Sequence, residues 1–214
     1  MQPGANGGHF KGFALQRRFT FVTTNDQSSD GGINYRQTQW VNSHAIATLQ
    51  LKSDIGPRDG IDNTSYILRS SMLGSWLTGA PDVLRNPSWR LHLSLYKTRQ
   101  RPLLRGANVY HILPMPDGVN YDGMQYYNRE LKKGSVLLFK PSANASGGDS
   151  ILVPLKGLAR TLKYQLEFQD RTGLNALVTG AQLMDVGLHV TGMLGSQASE
   201  IVWITEVGSD TAVA

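Results

Sequence analysis

Hydrophobic and polar positions change rhythm once along this chain, near residue 106. In the second half, short apolar runs recur between Gly, Pro, Asn and Asp: Val109–Leu113, Met124–Tyr127, Ser135–Phe139, Ile151–Leu155, Tyr164–Phe168, Leu188–Leu194 and Ile201–Thr205. Spacings of this kind, with Tyr164, Leu166 and Phe168 alternating against Gln165 and Glu167, predict an antiparallel β-sandwich over residues 108–214. The polar stretch Ser142–Asp149 reads as a hairpin tip. The first half mixes patterns. Phe19–Thr24 is β-branched and aromatic, Ala45–Leu51 reads either as an alternating strand or as a short helix, and Tyr66–Leu73 is a short buried segment. From Asn86 a helix is marked by an N-cap, Pro87 at its first position, Trp89, Leu93 and Tyr96 at helical spacing, and Gly106 as a stop. Pro102 predicts a kink or an earlier end. Residues 1–107 therefore read as β/α units, giving an α/β domain followed by an all-β domain.

Charge follows the same division. Residues 1–112 hold 13 basic and 6 acidic side chains, whereas 113–214 hold 8 and 10. Arg85, Arg90, Lys97, Arg99, Arg101 and Arg105 read as the solvated face of the capped helix; without interleaved aromatics or a recognition motif they predict no nucleic-acid partner. The chain has no cysteine, which excludes disulfides, thiolate metal sites and a thiol nucleophile. Its five histidines lack metal-ligand spacing, so no metal and no cofactor are expected. No signal peptide or membrane-length apolar run is present, so no membrane partner is expected and the compartment is open.

Several segments, in order, resemble the C-terminal part of melibiase-type α-galactosidases, glycoside hydrolases built from a (β/α)8 TIM barrel and a C-terminal β-sandwich. Ala5-Asn6-Gly7-Gly8 is similar to the end of a late barrel strand, and Thr23-Thr24-Asn25-Asp26 to the next. Asp62 through Ser70 resembles the region of the last strand, and Tyr96–Leu104 the final barrel helix. Asp122–Tyr127, Gly134–Phe139, Leu155–Leu158 and Thr179–Met184 follow the sandwich pattern. The resemblance implies an incomplete barrel over 1–107 and a sandwich over 108–214.

It also implies chemistry. A retaining glycosidase uses two carboxylates, one as nucleophile and one as general acid/base. Asp26 matches the acid/base. The nucleophile has no counterpart, because no Asp or Glu precedes Asp26. After Gly7 and Gly8 the family usually carries a basic residue and then an Asp, where this chain reads His9-Phe10-Lys11-Gly12. The implied partners are a carbohydrate substrate, contacted by Gly7, Gly8, His9 and Trp76, and a missing N-terminal half or partner chain that completes the barrel. Trp76 is expected in a loop after the last strand, while Asp122, Tyr126 and Tyr127 offer a surface sugar contact with one Tyr in the core. The alternative reading is a non-catalytic carbohydrate-binding or interaction module.

Overall fold

The computed structural model describes residues 22–23, 33, 36–37, 39–40, 51–54, 65–77 and 85–208. The chain divides into two compact units, Met1–Arg105 with Met115–Gly118, and Gly106–Pro114 with Val119–Ala214.

In the first unit, β1 (Val22–Thr23), β2 (Leu51–Asp54) and β3 (Ser75–Leu77) form a parallel sheet in that order. Parallel neighbours need a crossover. Residues 33, 36, 37, 39 and 40 are helical between β1 and β2, and α1 (Ser65–Ser70) lies between β2 and β3. The segment Tyr66–Leu73 is buried as expected, but it is α1 followed by a 3₁₀ turn, and the strand comes after it at 75–77. A continuous apolar run reads alike in a buried strand and a buried helix, which is why its periodicity did not separate them. Of the run Ala45–Leu51, only Leu51 lies within the described residues, where it opens β2.

Helix α2 (Pro87–Leu95) starts as the sequence predicts. The Asn86 side-chain oxygen accepts from the Ser88 amide at 2.8 Å, and Pro87 occupies a position where no donor is needed. Asn86→Ala is expected to lower stability by about 1 kcal/mol in chemical denaturation. Trp89 and Tyr96 are buried and Leu93 half-buried, while Arg85, Arg90, Lys97, Arg101 and Arg105 are exposed and Arg99 is half-buried. The helix then widens into a π turn (Tyr96–Gln100) before α3 (Arg101–Leu104). Pro102 has no amide to give to the carbonyl four residues back, and its ring crowds that carbonyl. The wider turn relieves the clash, with the Arg101 amide reaching back to the Tyr96 carbonyl. Gly106, at φ +88°, ends the segment in a conformation that glycine adopts without a side-chain clash.

The second unit holds a six-stranded antiparallel sheet in the order β4-β5-β6-β11-β8-β9, with β4 (Asn108–His111), β5 (Asp122–Asn128), β6 (Lys133–Lys140), β8 (Lys163–Phe168), β9 (Ala176–Thr179) and β11 (Ala198–Gly208). A second sheet pairs β7 (Ser150–Val153) with β10 (Leu188–Thr191). Val153, Leu188 and Val190 of the small sheet share one core with Tyr127, Val136, Leu138, Tyr164, Leu166, Phe168, Val202 and Ile204 of the large one. All seven predicted runs contain strands.

Two expectations are corrected, for residues 142–149 and for the Asp122, Tyr126 and Tyr127 contact. Residues 142–149 do not tip a hairpin, because β6 and β7 belong to different sheets and the turn carries the chain between them. Between the predicted runs, Thr179 ends β9 and α4 (Gly180–Asp185) follows, opened by a reciprocal cap in which the Thr179 hydroxyl accepts from the Gln182 amide and the Gln182 side chain accepts from the Thr179 amide. Asp122, Tyr126 and Tyr127 are all buried, at 1, 1 and 3 % exposure, so they present no surface contact. The reason is that β5 is buried on both faces.

Candidate functional site

Catalytic and ligand-binding groups of parallel α/β folds collect beyond the C-terminal ends of the strands, where loops vary without disturbing the sheet. In this chain that edge is marked by Thr23, Asp54 and Leu77. Asp26 follows Thr23 by three positions in the sequence. Asp26, Gly7, Gly8 and His9 lie outside the described residues.

Trp76 is described, and it sits inside β3 rather than in a loop after it. Its ring lies 5.6 Å from that of Trp89 and 5.7 Å from that of Tyr96, the second pair edge-on. Aromatic pairs at such distances and tilts are favourable beyond the area they bury. These contacts join the strand to α2 and the π turn. The Tyr96 hydroxyl donates to the Gly74 carbonyl at 2.9 Å and accepts from the Trp76 amide at 3.1 Å. Burial raises the Tyr96 pKa, so the hydroxyl keeps the proton that the first bond requires. The indole N–H groups of Trp76 and Trp89 are buried without a hydrogen-bond partner among the described residues.

A second polar cluster ties two helical segments together. Arg36, 1 % exposed, donates to the Tyr66 hydroxyl at 2.6 Å and to the Ser70 hydroxyl at 2.8 Å, and its guanidinium lies 4.9 Å from the Tyr66 ring centre. The Ser70 hydroxyl donates in turn to the Tyr66 carbonyl at 3.1 Å. The planar fork of an arginine suits such a clamp, because two bonds leave in fixed directions while the flat face stacks. Neither Arg36 nor Tyr96 was singled out for this in the sequence, where the only available signal was a lone basic residue in a polar stretch and a Tyr on a helix stripe. Among the described residues no group of three or more His, Cys, Asp or Glu stands close enough to hold a metal ion. No helix among them is long and apolar enough to cross a membrane.

The sequence matches no family model and no curated protein. Solved structures do match. The galactosidase domain of the α-galactosidase–sucrose kinase AgaSK aligns over 86 % of this chain and 26 % of its own, with a TM-score of 0.68 at 16 % identity. The α-galactosidase from Lactobacillus brevis aligns over 89 % of this chain and 27 % of its own, also with 0.68 and 16 %. The GH36 α-galactosidase AgaB from Geobacillus stearothermophilus gives a TM-score of 0.64 at 16 % identity, covering 86 % of this chain and 25 % of that one. The chain thus spans about a quarter of the length of these proteins. By its fold, this chain resembles the C-terminal portion of GH36 α-galactosidases.

Proposed function

We propose that this chain is the C-terminal portion of a retaining glycoside hydrolase acting on α-linked galactosides, with Asp26 as its general acid/base. The observation that carries the reading is the fold likeness over 86–89 % of the chain, at TM-scores of 0.63 to 0.68, to α-galactosidases. One of them, an AgaA variant from Geobacillus stearothermophilus, is in complex with stachyose and another with 1-deoxygalactonojirimycin. The place of Asp26 in the sequence, just past the end of a parallel strand, supports the same reading.

In the proposed mechanism Asp26 protonates the glycosidic oxygen as the sugar passes to a carboxylate nucleophile, with inversion at the anomeric carbon. Asp26 then removes a proton from water, which displaces the nucleophile with a second inversion, so configuration is retained. The two carboxylates stand about 5–5.5 Å apart in such enzymes. The nucleophile comes from polypeptide outside this chain, since no acidic residue precedes Asp26 here. In this reading residues 1–107 contribute the last β/α units of a (β/α)8 barrel, Gly7 and Gly8 let the sugar approach the backbone, and His9 is a further sugar contact. Trp76, packed against Trp89 and Tyr96, is not a free stacking platform.

The native polypeptide, captured with an antibody against residues 119–208 and weighed intact, is expected to be several times heavier than the 23.5 kDa of this chain. A native product of 23.5 kDa would contradict the proposal unless a separate nucleophile-bearing chain comes down with it.

A further inference from the structure

The Tyr96 hydroxyl makes two bonds that, in a parallel sheet, belong to one residue of a neighbouring strand. A residue on a parallel neighbour donates its N–H to the carbonyl of residue i and accepts, through its C=O, from the N–H of residue i+2. Tyr96 does both at once, donating to the Gly74 carbonyl and accepting from the Trp76 amide. The Trp76 amide is thus given to a side chain, and among the described residues β3 is the last strand of its sheet, with β2 on its other edge.

We infer that Tyr96 stands in for one residue of a further parallel strand and so fixes the rung at which that strand begins to pair with β3. The inference rests on the proposed function, in which the rest of the barrel lies outside this chain; the occupant is a parallel strand of that nucleophile-bearing part. With Tyr96 in place, the first outward group of β3 open to the newcomer is the Trp76 carbonyl. In a closed barrel the register of each strand pair is tied to every other, so this rung helps set the heights of the strand ends that carry the carboxylates. The π turn contributes by setting where on the helix Tyr96 leaves it, at the first residue of the widened turn.

Hydrogen exchange at the Trp76 amide tests this by NMR, with and without the nucleophile-bearing part. In the wild-type chain alone the amide is expected to be protected, and addition of the partner to leave its rate unchanged. In Tyr96→Phe the amide of the chain alone should exchange about tenfold faster or more, and the partner should restore protection as its strand extends into the vacated rung. The Arg90 amide, which donates to the Asn86 carbonyl at 3.2 Å, reports whether the variant keeps its helix. A second measurement needs no variant: on assembly the carbonyl carbon resonance of Trp76 should move while that of Gly74 stays. A fast Trp76 amide in the wild-type chain, no protection restored in assembled Tyr96→Phe, or a shift at Gly74 instead of Trp76 overturns the inference alone. A native product of 23.5 kDa with no nucleophile-bearing chain bound to it overturns the proposed function, and the inference with it.

Discussion

Replacing Asp26 by alanine in the complete enzyme is expected to slow hydrolysis of natural α-galactosides by about 100- to 10,000-fold. The loss should shrink as the leaving group becomes more acidic, because a good leaving group departs without protonation. With an activated aryl galactoside the first step should stay fast and the second become limiting, since water then lacks its base. Azide needs no deprotonation, so adding it should restore turnover and yield galactosyl azide of retained configuration. A structural defect would instead lower activity on every substrate alike, with no rescue. Steady-state kinetics across a series of leaving groups separates the two.

Arg171→Ala is expected to destabilise the second unit by about 3 kcal/mol or more in urea denaturation of the chain. Glu200 is completely buried, and its carboxylate accepts from the Asp170 and Arg171 amides at 3.1 Å, from the Ile201 amide at 2.9 Å and from the Arg171 guanidinium at 2.9 Å. Arg171 also donates to the Gly192 and Ser199 carbonyls, joining the turn after β8 to the loop after β10 and to β11. Removing it leaves a buried anion with backbone donors but no countercharge. Arg171→Met with Glu200→Leu removes both charges and is expected to cost less than Arg171→Ala alone, because no charge is stranded. Equal losses in the single and double variants would show that the carbonyl bonds, not the ion pair, hold this corner.

Much of the fold was legible because its signals are local. The Asn86-Pro87 start, the Gly106 stop and the seven apolar runs each act within a few residues, and each appears where the pattern placed it. The rest depends on partners distant in sequence. Tyr66–Leu73 reads as a short buried segment and is one, but the pattern leaves its type open, and Arg36, thirty or more positions away, clamps the helix it forms. Nothing in Ser142–Asp149 reveals that the chain changes sheets there. In part it is held by Lys140, fully buried, whose ammonium reaches Asp149 at 2.6 Å and the Met193 carbonyl at 2.9 Å. The pair Tyr126-Tyr127 reads as one core and one surface tyrosine, yet both are buried, and the Tyr127 hydroxyl is turned to Glu206 at 2.8 Å and its ring to Tyr164 at 6.1 Å. Burial and the neighbouring carboxylate push its pKa well above the usual phenol range. Trp76 shows the same limit: a Gly-bounded Trp reads as a loop residue until Trp89 and Tyr96 are seen to hold it in a strand.

The central claim is that this polypeptide takes part in cutting an α-galactoside with retention. The most direct measurement is proton NMR of an α-galactoside incubated with the native protein that contains this chain, read in the first minutes before the released sugar mutarotates. The account predicts that the α anomer of galactose appears first and the β anomer only later. Appearance of the β anomer first, or no hydrolysis by the native protein, would contradict it.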